Sequence, residues 1–529
     1  MRRSEATDSK DNAPQKGYAR YIFPAIITVV WAVLFGYTFN EKLDLNGDNC
    51  NYYIYATSMA TGHGYADISL PVISPTNAFP PGYPLLMTPL RLLTDSIVAQ
   101  KILNGLFLLA GVLLLYFAMM RAGLRRDVSF VAAVATLFCS RVLHFATMMM
   151  SEMSFFCSSA LVLYALVAME KSARPFYRDK WFYVMVAALA LNYHIRTQGI
   201  ALAVGVLLYF VFTLRWKELV ATAGGFAVCC LPWMLRNRAL GFTNRYADSI
   251  MQVNTWRPEE GTLDAGGVVE RFFDTLQMLL FKAFPNSVTP FFSVDYQAAT
   301  PWYLYVAGVA MVAVTAFGFW QMGRVRWMLL GYMAATLGVI SLFASPSENR
   351  YLTGVLPILT IGLYAGLWRA LDWLLHRLNI IKNVAPPYLL LILLVTSFSG
   401  IKMEHDLSNM PYHPAYANFF SIGEQLKAHV PPTTVVCSRK PTMLYMYGKT
   451  ANVIYKFTKD DGELISDLVE KRVDYVVLEQ LGYSSTYLYL YPAIQKNPEL
   501  FRQAMHCTNP DTYLLKFDRE AAAKKFGLR

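Results

Sequence analysis

The chain has 529 residues, of which 55% are hydrophobic, and its mean hydropathy is +0.32. That composition is too apolar for a soluble protein of this length and indicates a membrane protein. The formal net charge of +11 would suit a nucleic-acid partner. However, the basic residues concentrate in short loops between apolar segments, which is typical of membrane orientation and argues against nucleic acid.

The first apolar run follows a polar, basic segment, residues 1–20. No small-residue cleavage site follows the run, so we expect a cytoplasmic tail and a retained first span rather than a signal peptide. A helix needs about 20 apolar residues to cross the hydrocarbon, and about eleven segments approach that length. The predicted spans are 21–39, 97–120, 128–146, 152–169, 181–193, 198–214, 218–235, 301–321, 327–343, 351–368 and 386–401.

Every second loop between these spans is short and basic, and this pattern predicts how the spans are oriented in the membrane. With the N-terminus inside, every one of them falls on the cytoplasmic side, as the positive-inside rule requires. An odd number of spans then places the C-terminus outside. The basic residues are Arg121, Arg125 and Arg126; Lys171, Arg174, Arg178 and Lys180; Arg215 and Lys217; Arg324 and Arg326; and Arg369, His376, Arg377 and Lys382.

The opposite side carries two long loops and a C-terminal domain. Loops 40–96 and 236–300 are rich in aromatic residues and proline, which favours partly buried or interfacial segments. From residue 402 to residue 529 the composition becomes that of a soluble domain. Alternating strand and helix signals there predict a small α/β domain. The predicted strands are 434–437, 473–478 and 512–517, and the predicted helices are 417–429 and 462–471.

The predicted fold is therefore an α-helical polytopic membrane domain, residues 21–401, followed by this extracytoplasmic domain, residues 402–529. Four of the seven cysteines lie in apolar spans, where we expect packing roles. A disulfide between Cys437 and Cys507 would suit an oxidising compartment, and the sequence leaves it open.

The first outer loop contains an acidic residue beside aromatic rings. Asp48, Tyr52 and Tyr55 share one face if this segment is helical. A carboxylate flanked by aromatic side chains at the membrane surface could hold a sugar. The alternative is that Asp48 caps a helix, since Asp is a favoured cap and Gly47 precedes it.

The same loop ends in Pro80-Pro81-Gly82-Tyr83-Pro84, where paired prolines force a rigid turn. Further along, Glu152 opens the fourth span. An acidic residue at the edge of an apolar helix tends to be functional or paired, although it also gains from the helix dipole.

Arginines lie near the predicted outer ends of several spans. Arg196 follows His194 in a very short connection, Arg236 ends the seventh span, and Arg350 precedes Tyr351 at the tenth. A guanidinium held at the edge of the bilayer suits a phosphate, which accepts its planar fork at two oxygens. The alternative for each is snorkelling to lipid headgroups. Together these arginines outnumber the nearby acids, which favours an anionic ligand.

Other kinds of site find little support. His405, Asp406 and His413 match no zinc spacing with predictive force. The chain contains no P-loop, no dinucleotide-binding glycine pattern between a strand and a helix, and no nucleophile elbow.

Taken in order, these motifs resemble those of the GT-C membrane glycosyltransferases, in particular bacterial members of the dolichyl-phosphate-mannose protein mannosyltransferase and aminoarabinose transferase superfamily. The matching stretches are Asp48…Tyr52-Tyr53…Ala56…Gly62, Pro80-Pro81-Gly82-Tyr83-Pro84, Ser151-Glu152, Arg196-Thr197-Gln198-Gly199, Pro232-Trp233…Arg236-Asn237 and Arg350-Tyr351…Leu356-Pro357. The chain departs from this pattern in having Asn49 where many members have Glu, and Phe79 where aminoarabinose transferases have Lys. The second departure argues against lipid A as acceptor.

The resemblance implies a GT-C fold, a polyprenyl-phosphate sugar donor and a lipid, glycan or protein acceptor in the cell envelope. It implies Asp48 as catalytic carboxylate, with Glu152 orienting the sugar or acceptor. Arg196, Arg236, Arg350 and His194 would then bind the donor phosphate, and Tyr52, Tyr55, Tyr83 and Tyr351 the substrate. A single displacement would invert the anomeric carbon.

The resemblance also implies a bacterial inner-membrane location among membrane lipids. We assign no cofactor, and a divalent metal is left open. Two alternatives are a lipid-linked-glycan ligase or polymerase, which would not need Asp48, and a lipid or solute transporter. Against transport, the polar residues lie at one edge of the membrane, and no inverted repeat is present.

Overall fold

The computed structural model of the protein describes residues 21–243, 249–254, 260–288, 294–343 and 350–528. The predicted cytoplasmic tail 1–20, residues 344–349 before Arg350, and parts of the predicted outer loop 236–300 lie outside the described residues.

The chain forms two compact units. One contains the segment that ends at Glu41 together with Gln100–Ser408, and the other contains Lys42–Ala99 together with the segment that begins at Asn409. This grouping differs in one respect from the division expected from composition. The first outer loop belongs to the same unit as the C-terminal domain rather than to the membrane helices.

The membrane portion is a multi-pass helical assembly. Its helices are Ile22–Thr38, Ile97–Arg121, Arg126–Leu137, Ser140–Ala146, Glu152–Glu170, Lys180–Ile195, Ile200–Phe212, Trp216–Ala239, Ala265–Met278, Phe284–Val288, Trp302–Trp320, Arg326–Ser341, Leu356–Arg377 and Phe398–Asn409. A 3₁₀ helix at Pro387–Ser397 precedes the last of these. Trp216–Ala239 buries only Thr222 and Cys230, as expected of a helix that faces lipid.

The count of eleven spans is not confirmed. In the described residues, six helical segments are long and apolar enough to cross a membrane, or seven if one bent pair is a single span. That pair, Arg126–Leu137 and Ser140–Ala146, bends by 64°. Two further apolar helices, Ile22–Thr38 and Thr197–Phe212, are shorter than 18 residues. The prediction from hydropathy counted these short and broken segments as full spans, because hydropathy does not show where a helix ends.

The membrane helices pack closely where glycines face one another. Gly318, on Trp302–Trp320, lies against Gly362 on Leu356–Arg377, and a Cβ added to Gly318 would come within 1.8 Å of the Gly362 carbonyl oxygen. Small residues allow two helix backbones to approach in this way. The same two helices also meet at Gly366, where an added Cβ would lie 2.1 Å from the Val314 carbonyl oxygen.

In the second unit, the first outer loop forms two helices, Asp48–Ala60 and Gly82–Arg91, and a two-stranded antiparallel ribbon, β1 (Ala66–Asp67) and β2 (Ser74–Pro75). The helix Gly82–Arg91 begins directly after Pro80 and Pro81, as paired prolines at a turn predict. The Tyr412 hydroxyl donates to the Leu43 carbonyl oxygen at 3.0 Å. The Asn452 backbone N–H donates to the Ser69 carbonyl oxygen at 2.7 Å. These bonds join the loop to the C-terminal segment.

The C-terminal segment is a small α/β domain, as predicted. Its strands are β3 (Val435–Cys437), β4 (Ala451–Val453), β5 (Tyr475–Leu478), β6 (Phe501–Cys507) and β7 (Thr512–Phe517), in the order β4-β3-β5-β7-β6. The first three are parallel and the last two pair antiparallel. The helices are Pro414–His429, Pro441–Gly448, Asp461–Glu470, Tyr491–Lys496 and Arg519–Phe526.

Three of the five strands and two of the helices match the predicted segments. Strand β4 has only three residues, too few for a periodicity to register, and β6 is an edge strand whose side chains are largely exposed. The sheet also decides the disulfide question. β5 and β7 separate Cys437 on β3 from Cys507 on β6, so roughly 14 Å lies between these strands. A disulfide needs Cα atoms within about 7 Å, and both thiols are free.

The approach at Gly318 predicts a stability defect. Gly318→Ala should lower the melting temperature of the purified protein, because the new methyl group meets a backbone carbonyl that cannot move aside. We expect a loss of about 1–3 kcal/mol, as for overpacked cores. Gly338→Ala is the matched control, since a Cβ at Gly338 meets nothing within 4 Å. Equal melting temperatures for the two variants would contradict the close approach.

Candidate functional site

The strongest charged cluster in the membrane portion is built around Glu152. This residue begins the helix Glu152–Glu170, and its side chain is 1% exposed. Its Oε1 accepts one hydrogen bond from Nη1 of Arg196 at 2.8 Å and another from Nε of Arg350 at 3.1 Å. Three segments that are far apart in the sequence therefore meet at one carboxylate oxygen.

Local backbone structure places the two arginines at this point. Arg196 lies in extended conformation, with φ −147° and ψ 132°, between the helix Lys180–Ile195 and the 3₁₀ turn Thr197–Gly199. Arg350 begins the 3₁₀ turn Arg350–Leu352. Both side chains are mostly buried, with exposed fractions of 12% for Arg196 and 21% for Arg350. Breaks between helices thus bring the guanidinium groups to the end of a membrane helix.

The three side chains of the cluster comprise two cations and one anion. Two guanidinium groups face one carboxylate, so the three side chains sum to +1 when all are ionised. The second carboxylate oxygen, Oε2, is buried and has no hydrogen-bond partner among the described residues. A buried acceptor without a partner costs about 1–3 kcal/mol. The arrangement is therefore suited to an anionic ligand that also offers a hydroxyl group.

Tyr351 and Gln198 hold the arginines in place. The Arg196 guanidinium lies 5.6 Å from the centroid of the Tyr351 ring. The Gln198 side-chain amide donates to the Tyr351 carbonyl oxygen at 3.1 Å. Tyr351, one of the four tyrosines predicted to bind substrate, therefore lies beside this cluster.

The other two predicted phosphate ligands are engaged differently. His194 directs its Nδ1 to the Ala190 carbonyl oxygen, 2.7 Å away. The Arg236 guanidinium lies 4.8 Å from the Trp233 ring, and its Nη1 donates to Asn237 at 2.9 Å. In the described part of the chain, neither His194 nor Arg236 is a partner of Glu152.

Asp48 lies in the second unit, as the first residue of the helix Asp48–Ala60. Gly47 occupies the N-cap position with φ 91°, a conformation that favours glycine, and no side chain caps the helix. The interpretation of Asp48 as the cap is therefore wrong. Asn49 fixes the turn instead: its Oδ1 accepts from the Gly47 N–H at 3.0 Å, and its amide donates to the Asp44 carbonyl at 2.8 Å. The departure from an Asp-Glu pair thus has a structural role.

The remaining predicted tyrosines form a buried aromatic cluster behind Asp48. Tyr52, Tyr55 and Tyr83 are 4%, 2% and 1% exposed. The Tyr52 ring lies 4.9 Å from Phe79 and 5.0 Å from Tyr83. Phe79, one of the two positions at which the chain departs from the motifs it resembles, is therefore part of this packing. These rings stabilise the loop, and direct contact between them and a sugar stays a prediction.

Two buried polar residues of the membrane portion were not predicted. Ser151 accepts a hydrogen bond from Nη1 of Arg196 at 3.0 Å. Lys101 is fully buried within Ile97–Arg121, and its Nζ donates to Asn40 at 3.0 Å. A lysine inside an apolar span is a signal of function or pairing that the sequence does carry.

Among the described residues, no group of three or more His, Cys, Asp or Glu side chains could hold a metal ion. The three residues considered for zinc are separately engaged. His405 contacts the Tyr37 carbonyl oxygen at 2.6 Å, Asp406 pairs with Lys402, and His413 caps the helix Pro414–His429.

The geometry at Glu152 predicts a large loss of stability when the carboxylate is removed. Glu152→Ala removes the buried carboxylate that both mostly buried guanidinium groups contact, and breaking a buried ion pair typically costs about 3–5 kcal/mol. We expect a clear fall in the melting temperature of the purified protein. Asp406→Ala is the matched control, because its pair with Lys402 is exposed and should contribute almost nothing. Glu152→Ala melting like Asp406→Ala would show that the cluster does not support the fold.

Comparison with solved structures identifies the architecture. The structure resembles ArnT from Cupriavidus metallidurans in the apo state, with a TM-score of 0.59, 14% identity, and coverage of 95% of this chain and 98% of ArnT. It also resembles ArnT bound to undecaprenyl phosphate, with a TM-score of 0.55, 14% identity, and coverage of 94% and 97%.

A third match is the archaeal oligosaccharyltransferase AglB from Archaeoglobus fulgidus, in complex with an inhibitory peptide and a dolichol-phosphate. Its TM-score is 0.57 at 10% identity, covering 95% of this chain and 75% of AglB. No family model and no curated protein matches the sequence. At these identities the likeness concerns the fold, and it extends over nearly the whole chain. The protein is a multi-pass membrane protein with the GT-C fold, the architecture that it shares with ArnT and AglB.

Proposed function

We propose that this protein is a membrane glycosyltransferase that moves a sugar from a polyprenyl-phosphate-linked donor to a hydroxyl group of an extracytoplasmic acceptor. The observation that carries the proposal is the buried cluster of Glu152, Arg196 and Arg350 on a GT-C fold. Its two guanidinium groups are planar, charged hydrogen-bond donors of the kind that a phosphate accepts, which suits a lipid-linked donor. The structures of similar proteins that contain undecaprenyl phosphate or dolichol-phosphate support the same class of donor.

The reaction is a displacement at the anomeric carbon. The acceptor hydroxyl oxygen forms a bond to that carbon while the bond from the carbon to the phosphate oxygen breaks, and the lipid phosphate leaves with the electron pair. Asp48 takes the hydroxyl proton as general base, a role that contributes about 10²–10⁴-fold. One displacement inverts the anomeric configuration.

The arginines stabilise charge on the departing phosphate. A phosphate oxygen accepts hydrogen bonds from guanidinium groups in a fixed geometry, and donors already held in place do not have to reorganise during the reaction. Glu152 holds Arg196 and Arg350 in that geometry. Its Oε2, which lacks a partner among the described residues, is available for a sugar hydroxyl group. His194 and Arg236 were also predicted to bind the donor phosphate, but among the described residues they are not partners of Glu152 and are assigned no step in the reaction.

An apolar cavity next to the cluster supports a lipid-linked donor. Its lining includes Leu352 and Val355, which lie two and five residues after Arg350 in the chain. The other lining side chains are almost entirely apolar. An isoprenoid chain attached to a phosphate needs an apolar region beside a cationic one, and residues 350–355 contribute to both.

Asp48→Asn should abolish sugar transfer while leaving the protein folded, because the amide cannot accept the hydroxyl proton. The measurement is donor consumption by purified protein in lipid, with a panel of polyprenyl-phosphate sugars and a cell-envelope extract as acceptor. We expect a rate at least 100-fold below that of the unmodified protein. Glu470→Gln, an isosteric change at an exposed acid in the same unit, is the control and should leave the rate unchanged.

Near-normal turnover by Asp48→Asn would remove Asp48 from the role of base. It would also favour a ligase or polymerase of lipid-linked glycans. If the unmodified protein binds donors but consumes none of them, transport becomes the better explanation.

Arg196→Ala should weaken use of the donor, with a KM for donor about 10–100-fold higher, since a charge-assisted hydrogen bond is lost. Arg196→Lys should recover part of the effect because it keeps the charge without the planar fork. Arg174→Ala, at an exposed arginine in a predicted cytoplasmic loop, serves as control. Unchanged donor dependence in Arg196→Ala would contradict the phosphate role.

A further inference from the structure

The α/β domain has a topological switch point, the position at which other open parallel sheets bind ligands in a crevice. Strand β3 lies between β4 and β5. From β3 the chain crosses to β4 on one side, and the chain then returns past β3 to β5 on the other. Ligands bind outside the carboxyl ends of strands at such a switch point. Here those ends are followed by Ser438-Arg439-Lys440 after β3 and by Glu479 after β5.

Arg439 is held rigidly at this point. Its guanidinium lies 4.7 Å from the Tyr483 ring centroid and 5.1 Å from the Phe457 ring centroid. Its Nε donates to the Ser485 hydroxyl at 2.6 Å. These contacts orient the planar group through its faces and Nε. In the described part of the chain, its terminal nitrogens have no hydrogen-bond partner, so both remain available for an oxyanion.

Lys440 adds a second cation beside Arg439. Its Nζ lies 4.6 Å from the centroid of the same Tyr483 ring. Burial, followed by the neighbouring guanidinium of Arg439, holds the pKa of Lys440 below its usual range. Within the described residues, no carboxylate lies within 4.0 Å of either cation. Two adjacent, half-buried cations without an ion pair form a site that an anion would stabilise.

Hydroxyl groups surround the two cations. The Tyr416 hydroxyl lies 3.3 Å from the Tyr483 hydroxyl. Ser438 is fully buried at the end of β3, and its Oγ has no partner among the described residues. Glu479 is also buried, and it uses its carboxylate to bind the Leu481 N–H and the Thr486 hydroxyl. Glu479 thereby fixes the loop that carries Tyr483; it also attracts Arg439 and Lys440 electrostatically, without a direct ion pair to either.

The switch point lies next to Asp48. Nζ of Lys440 is 3.6 Å from the position that a Cβ would take on Gly47, the residue before Asp48. The helix Asp48–Ala60 packs against the helix Pro441–Gly448, which follows Lys440. A molecule bound at the switch point is therefore adjacent to the carboxylate proposed as base.

We propose that Arg439 and Lys440 form an acceptor subsite that binds a phosphate or carboxylate group of the acceptor and so presents the neighbouring hydroxyl group to Asp48. This inference rests on the proposed transferase function and adds a substrate class to it: the acceptor is an anionic glycan or phospholipid headgroup. A planar guanidinium beside an ammonium binds either kind of oxyanion. The aromatic rings of Tyr483 and Tyr416 provide a surface for the sugar ring.

The test compares Arg439→Gln and Lys440→Gln with the unmodified full-length protein in lipid. Each variant should raise the KM for an anionic acceptor about 10- to 100-fold. The KM for donor and the kcat should change less than twofold. Two further arms use the unmodified protein with phosphatase-treated acceptor and with carboxyl-reduced acceptor. The treatment that weakens acceptor binding shows whether the subsite recognises the phosphate or the carboxylate group. Lys459→Gln, at an exposed lysine of the same unit, is the control.

Direct binding gives a readout that does not need turnover. Glucose 1-phosphate is the probe, and its dissociation constant should rise at least tenfold in either Gln variant, with Arg439→Lys intermediate. Equal probe binding by the variants and the unmodified protein would overturn the subsite. An unmodified protein that binds the probe through Arg439 and Lys440 but transfers no sugar would overturn the proposed function and leave the anion site. If both variants transfer sugar normally with an unchanged KM for acceptor, the subsite is overturned and the proposed function stands.

Discussion

The membrane portion depends on one constraint: a charge brought to the end of an apolar helix must be paired. Glu152 is almost completely buried, and it is compensated by two arginines from segments 44 and 198 residues away in the chain. An isolated charge in such surroundings would cost several kcal/mol. The helices are interrupted after Ile195 and before Leu352, and these interruptions are the places from which the guanidinium groups reach the carboxylate. The need to pair a buried carboxylate therefore explains both the shape of these connections and the charges that form the cluster.

The second unit shows the same coupling between structure and chemistry in a polar setting. The first outer loop does not fold as a separate element, because it belongs to the same compact unit as the α/β domain. Gly47 adopts a left-handed conformation next to Lys440, and Asn49 closes the turn that leads into the helix of Asp48. The position of the proposed base is thus set by the turn at Gly47 and Asn49, next to Lys440 of the α/β domain. Substitutions in that domain should therefore change the KM for acceptor more than the KM for donor.

How much of the site could be predicted differs from residue to residue. Glu152, Arg196 and Arg350 were predicted individually because charged residues at the ends of apolar spans are rare and costly. Their meeting at one oxygen was not predictable, since no local pattern links residues so far apart. Tyr52 and Tyr83 were predicted as sugar ligands, yet an aromatic side chain beside an acid looks the same in a sequence whether it faces a ligand or the core. Arg439 and Lys440 carry no sequence signal, because two basic residues after a three-residue strand resemble any solvated turn.

The sequence by itself determined the fold class, the α/β character of the C-terminal domain, and the residue types from which a phosphate site could be built. Those conclusions follow from hydropathy, periodicity and charge placement, which act over short stretches of chain. Tertiary structure alone decided how many helices are long enough to span, and that Cys437 and Cys507 lie too far apart to pair. It also decided which arginines share Glu152 and which residues surround Asp48. Each of these depends on contacts between distant segments, because packing distances and desolvation arise only when the chain is folded.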